Sequence, residues 1–396
     1  MIKNNRMIKM AMVAAVLFSG AVLYVFTMPL NVERVMGENK VHPHAPYHIS
    51  SEAKELHKTL NVADWHTDSL MWLRDILDAS DIGQVDVPRL EQANMAVQVF
   101  TSVTRVPSAG TQVADNPGHG DKISQLAFAD KWPSETRDSL FARAAFHANK
   151  LHDVAARAPD RVKLILTQED MQEVMNKRRQ GDKIVGAVLG TEGLHSLEGK
   201  IENVQKLYDL GFRVLGLLHF FDNELGGSLH GDNSKGLSEF GVKVIKELNK
   251  RGVVIDIAHS SHAIVEQVLE LAERPVIVSH TGMRGVCDSH RNIPDALMKK
   301  VAAKGGVIGI GYWQEAMCDT TPERVVDHLR YAVDLIGSEH VSLGSDYDGS
   351  AAMPFDVSEV SILTDLMLKR GFTRAEIRAI MGDNILRILS EQLPKA

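Results

Sequence analysis

His66 and Asp68, in the run Val62-Ala63-Asp64-Trp65-His66-Thr67-Asp68, open a series of residues whose types suit metal ligation. Glu192 (in Gly190-Thr191-Glu192-Gly193), His219, His259, His280 and Asp346 continue it, each directly after a short run rich in Val, Ile or Leu. Imidazole and carboxylate together suit zinc or a similar divalent ion, and a single carboxylate such as Glu192 can bridge two ions. Two metals about 3.5 to 4 Å apart would hold a hydroxide and polarise the carbonyl it attacks. Singly, each residue has a plainer reading. A histidine at a strand end is commonly a satisfied polar residue, Glu192 could cap a helix, and Asp68 could be the N-cap of a helix over 69–79, with Asp348 acting similarly. Placement at successive strand ends is what makes them a set.

The elements that must position them alternate along the chain. Apolar runs at 61–65, 96–100, 184–189, 213–218, 253–258, 275–279, 306–311 and 340–344 read as strands, with 162–166 either a short extra strand or part of the preceding excursion. Amphipathic patterns at 239–250, 263–272, 322–336 and 357–370 read as helices between them. Such alternation predicts an α/β fold, a TIM-type (β/α)8 barrel whose site is built at the carboxyl ends of its strands. The stretch 101–160 reads as an elaborated second connection. Arg291, in the loop leaving the sixth strand, is placed to hold a carboxylate over the mouth or to form a surface ion pair. His195, His230, His262, His290 and His328 read as surface residues or as residues behind the ligands.

Composition bounds the rest. The chain has 396 residues, 44% hydrophobic and 24% charged, which suits one large core. A formal charge of -7 gives no basic footprint for phosphate contacts, which excludes nucleic acid as a partner. Lys3, Arg6 and Lys9 precede an apolar stretch over 10–30, long enough to cross a bilayer. Residues 1–30 are therefore expected as an uncleaved membrane anchor, 31–50 as a stalk linker and 51–396 as the catalytic barrel. The positive flank places that barrel on the non-cytoplasmic side, secreted if the segment is cut. The only two cysteines, Cys287 and Cys318, form either one bridge or two buried thiols.

These residues resemble the membrane (renal-type) dipeptidases, peptidase family M19 of the amidohydrolase superfamily. The resemblance runs from about Asp64 to Leu389 through Trp65-His66-Thr67-Asp68, Gly190-Thr191-Glu192-Gly193, Leu218-His219-Phe220, Ile257-Ala258-His259-Ser260, Val278-Ser279-His280, His290-Arg291-Asn292-Ile293 and Gly344-Ser345-Asp346-Tyr347-Asp348-Gly349. It implies two zinc ions per chain, with His66 and Asp68 on one, His259 and His280 on the other, and Glu192 on both. It implies that His219 contacts the substrate carbonyl, that Arg291 holds the terminal carboxylate and that Asp346 moves the proton. It implies hydrolysis of free dipeptides, those with a C-terminal D-residue included, by a metal-bridging hydroxide. A disulfide between Cys287 and Cys318 is implied as well. Trp65 and His290 depart from the residues common in the family at those places. The competing readings are an amidohydrolase acting on a lactam, cyclic amide or N-acyl amino acid, and a membrane-tethered metal-binding protein without catalysis. A homodimer is left open.

Overall fold

Apolar runs whose residues are buried throughout belong in a parallel sheet covered on both faces. In the computed structural model, which describes residues 29–108, 120–231 and 235–395, they pair in that way. The strands are β1 (Val62–Thr67), β2 (Met95–Val103), β3 (Val162–Leu164), β4 (Val185–Glu192), β5 (Phe212–Gly216), β6 (Val254–Asp256), β7 (Ile277–Thr281), β8 (Val307–Ile310) and β9 (Val341–Leu343). Eight run in the order β1-β2-β4-β5-β6-β7-β8-β9, all parallel, while β3 pairs only with β4 beside that path. The ring is nearly closed by side chains and turns: Asp64 accepts the Ser345 N–H and hydroxyl at 3.0 Å each, and the Asp68 N–H donates to the Tyr347 carbonyl at 2.9 Å.

Two apolar layers hold this barrel. Inside, Val97, Val188, Val214, Val254, Ile277 and Val307 pack with Ile385, Ile388 and Leu389 of the helix Asn384–Gln392. Outside, Val185, Leu189, Phe212, Ile255, Val278 and Ile308 face the surrounding helices. Because side chains alternate along a strand, Val188 shares a face with Glu192 four residues on, so the inner layer lies directly beneath the site. The ring narrows near β7: a Cβ on Gly309 or Gly344 would come 2.0 or 1.8 Å from the Ser279 carbonyl oxygen. Only glycine permits that approach.

Several expectations are corrected. No helix runs over 69–79; Ser69–Met71 is a single 3-10 turn and Asp68 makes no capping bond, its carboxylate being turned elsewhere. The pattern over 357–370 divides into Val357–Glu359 and Ser361–Lys369. The segment expected as a stalk lies against the barrel: Glu33 is fully buried, accepts from Asn39 Nδ2 at 2.7 Å and pairs with Arg74 at 3.0 Å. Arg74 in turn pairs with Asp348, which also accepts the Ser69 hydroxyl at 2.6 Å. Burial raises the pKa of Glu33 despite the Arg74 charge.

The expected membrane placement is not supported. Residues 1–28 lie outside those described, and among the described residues no helix is long and apolar enough to cross a membrane. The longest, Leu140–Arg157 at 18 residues, carries Arg143, His147, Lys150 and Asp153, whose polar groups hydrocarbon would not solvate.

Cys287 and Cys318, 31 residues apart, are bonded with a Cα–Cα distance of 5.7 Å. Asn292 Nδ2 clamps the same loops, donating to the carbonyls of Cys287 and Ala316 at 2.9 and 2.7 Å. Closing a loop of this length stabilises by about 3 to 4 kcal/mol in the chain-entropy account. Replacing both cysteines with serine should lower the denaturation free energy by about 3 kcal/mol in a urea titration. An unchanged midpoint would mean that the Asn292 clamp alone restrains these loops.

Candidate metal centre

The strand ends deliver the ligand-type residues at different depths. His66, Glu192 and His280 stand on β1, β4 and β7 themselves, whereas His219, His259 and Asp346 lie three residues past the ends of β5, β6 and β9. His259 and Asp346 adopt left-handed backbone conformations, φ 59° and 63°, which are uncommon without glycine. Neighbouring bonds hold these turns. Asp256 accepts the Ala258 and Ser279 N–H groups at 2.9 Å each, and the Leu229 N–H donates to the His259 carbonyl at 2.7 Å.

Glu192 is the meeting point. Its Oε1 lies 3.6, 3.1 and 3.3 Å from the Nε2 atoms of His66, His259 and His280, and its Oε2 lies 3.4 Å from His219 Nε2. Asp68 and Asp346 approach His66 Nε2 at 3.4 and 3.8 Å. Two sets have ligand atoms within 4.8 Å of one another: His66, Glu192, His280 and Asp346, and Glu192, His219 and His259. Asp68 joins neither set; its Oδ1 accepts the Thr101 hydroxyl at 2.6 Å. Arg291 also converges here, with Nη2 3.1 Å from His259 Nε2 and 3.0 Å from the His280 carbonyl.

The opposite ring nitrogens are anchored, which fixes how the rings face. The Ser279 hydroxyl lies 2.8 Å from His280 Nδ1 and 3.5 Å from His66 Nδ1, and His230 Nε2 lies 3.0 Å from His259 Nδ1. Metal-binding histidines are typically oriented through the other ring nitrogen in this way.

Charge explains what the cluster can hold. Burial, then the nearby Asp68 charge, raises Glu192 to about 7, and burial pushes Asp346 well above the carboxylate range. Burial also drives His219, His259 and His280 well down and so neutral. Burial opposes the charge on His66 too, yet Glu192 and Asp68 outweigh it and hold that ring well above its ordinary value. Three carboxylates drawn out of water beside neutral imidazoles, with Arg291 the neighbouring cation, are a donor set that divalent ions fit.

The cluster floors a cavity of about 300 Å³, whose lining includes Asp68, Glu192, His219, His259, Arg291, Trp313 and Asp346. Trp65 does not line it; that ring is buried in the inner layer with Val97 and Val188. The cavity is large enough for a small ligand.

The family described as membrane dipeptidase (peptidase family M19) matches residues 50–395. The chain belongs to it. Among relatives of this M19 chain, the dipeptidase verJ of Clonostachys rogersoniana is 34% identical over 250 residues, covering 60% of this chain and 62% of that protein. The dipeptidase aclJ of Aspergillus oryzae is 26% identical over 83% of this chain and 78% of its own length. The probable dipeptidase PvdM of Pseudomonas aeruginosa superposes with a TM-score of 0.72 at 20% identity, covering 86% of this chain and 98% of that one. A Rhodobacter sphaeroides metallopeptidase, solved with a phosphinate mimic of the dipeptide L-Ala-D-Ala, gives 0.68 at 21% identity, covering 85% and 99%. At these identities the two structures support the fold alone.

Within this M19 site, sequence reasoning left out the residues that orient the ligands. Asp64 and Asp256 carried a signal, being charged residues inside apolar strand runs. Ser279 and Thr101 carried none, because their roles depend on which ring nitrogen or carboxylate they meet, and His230 was read either as a surface residue or as one behind the ligands, the second being where it lies. Replacing His230 with Leu should weaken metal affinity about 10- to 100-fold in competition with a chelator. Unchanged affinity would show that His259 keeps its orientation without that bond.

Proposed function

We propose that the barrel, taken as residues 51–396, hydrolyses the peptide bond of free dipeptides and holds two zinc ions to do so. The observation that carries this reading is Glu192 Oε1 within 3.1 to 3.6 Å of three imidazole Nε2 atoms, with Arg291 alongside. In the proposed arrangement His66, Asp68, Glu192, His259 and His280 would hold the two ions. Divalent ions so placed supply Lewis-acid polarisation of the carbonyl and an acidified water.

The chain's own groups do the rest. His219 is buried and neutral, lines the cavity, and has no hydrogen-bond partner for Nδ1 among the described residues. Its ring contacts the scissile carbonyl and stabilises the oxyanion as charge develops there. Asp346 takes the proton of the attacking water and returns it to the leaving amine. Arg291 is only 3% exposed and sits 5.2 Å from the Trp313 ring centroid. Its planar fork holds the free carboxylate of the second residue. That contact sets substrate length, since a longer peptide would present a neutral amide there. The configuration of the second residue is not read by the proton-transfer groups, so a C-terminal D-residue is accepted.

Asp346→Asn should reduce kcat by about 100-fold or more while zinc per chain stays at the wild-type value. Retained turnover would remove Asp346 from the proton path. Arg291→Ala should lower kcat/KM for dipeptides about 100-fold, mainly through KM, because a buried charged partner of the substrate is lost. Wild-type protein should leave a tripeptide uncut; efficient tripeptide cleavage would refute the role given to Arg291.

A further inference from the structure

The segment before the family match builds one wall of the cavity. The helix Val32–Met36 precedes residue 50, where that match begins, and places Val32 and Met36 in the lining. It is fastened on both sides. Toward the connection after β2, the Leu30 N–H donates to the Ala129 carbonyl at 3.0 Å, the Val32 N–H to Asp130 Oδ1 at 3.0 Å, and Lys122 pairs with Glu38 at 3.3 Å. Toward the loops after β1 and β9, buried Glu33 reaches Arg74, and Arg74 reaches Asp348. Val32 packs on Met71, Trp72, Val103, Ile123 and Leu126, a separate apolar cluster.

Position in the ring says what that wall meets. In the order β1-β2-β4-β5-β6-β7-β8-β9, β2 and β7 are four places apart in either direction, on opposite sides of the mouth. Arg291 follows β7, while Val103 ends β2 and the helix Lys122–Ala129 follows it. A dipeptide with its carboxylate on Arg291 and its carbonyl over Glu192 points its first residue at the β1–β2 side.

We infer that Val32, with Met71, Trp72, Val103, Ile123 and Leu126, forms a subsite for a large apolar side chain on the N-terminal residue of the substrate. This rests on the dipeptidase reading above. The wall offers that side chain hydrocarbon and an indole face, and Lys122, the neighbouring cation, is engaged by Glu38. Burying a Leu or Phe side chain there favours such substrates over those beginning with glycine.

The test uses the full chain loaded with zinc and the dipeptides Gly-Ala, Ala-Ala, Leu-Ala and Phe-Ala. Wild type should show kcat/KM for Leu-Ala and Phe-Ala about tenfold or more above Gly-Ala. Val32→Asp should cut the Leu-Ala to Gly-Ala ratio about tenfold, chiefly through the KM of Leu-Ala. Val32→Ala, which keeps the helix apolar, should move the ratio in the same direction by a smaller factor. Val35→Asp, on the same helix but 70% exposed, should leave every rate as in wild type. A flat wild-type profile, or variants at Val32 that leave the ratio unchanged, overturns the subsite while the dipeptidase reading stands. No cleavage of any dipeptide by wild type, Gly-Ala included, overturns both.

Discussion

Three carboxylates held out of water at one rim are the constraint on which the rest of this structure depends. Asp68, Glu192 and Asp346 gather around His66 within 3.4 to 3.8 Å, in a place where their hydration is largely gone. Such groups are tolerated when cations and directed hydrogen bonds replace the lost water. The barrel supplies part of that replacement through the Thr101 hydroxyl on Asp68 and the Arg291 charge near Asp346 and Glu192. The donor set is one that a metal ion would complete, and the lowered pKa values of His219, His259 and His280 suit ligation.

Keeping these groups in register requires rigidity below and around them. The inner apolar layer fixes the strands, and Asp256 ties the end of β6 to Ser279 on β7. Asp64 does the corresponding work between β1 and the turn after β9. Both carboxylates are buried and both pKa values are raised by that burial, so their hydrogen bonds to backbone N–H groups are what keeps them in place. The left-handed conformations of His259 and Asp346 fit the same picture, since strained backbone persists where the surroundings over-determine it.

The polar network at the mouth extends this rigidity outward. Asp348 links the Ser69 turn, the Gln84 N–H and Arg74, and Arg74 carries the link to Glu33. A segment that looked like solvated linker is thereby part of the cavity wall. Breaking such a buried chain at one residue leaves the others unpaired, so it acts as a unit.

Much of the barrel was legible because its signals are local: apolar runs of strand length, helical periodicity between them, and a ligand-type residue closing six of the eight runs. The eight expected ring strands match the observed ones to within a few residues, and the uncertain run at 162–166 is the short β3. The short turn after Asp68 was misread because helical propensity there gives way to bonds with Asp348, 279 residues from Ser69. The stalk expectation missed the packing of Glu33 on Arg74 for a related reason, since polar content alone says nothing of what a segment packs on. Sequence by itself determined which chemistry was affordable, through the kinds of side chains at strand ends. Tertiary structure alone decided which nitrogen of each histidine faces Glu192, where Arg291 stands relative to β2, and what becomes of Glu33. Those are set by contacts between residues far apart in the chain, and no local pattern encodes the distance between them.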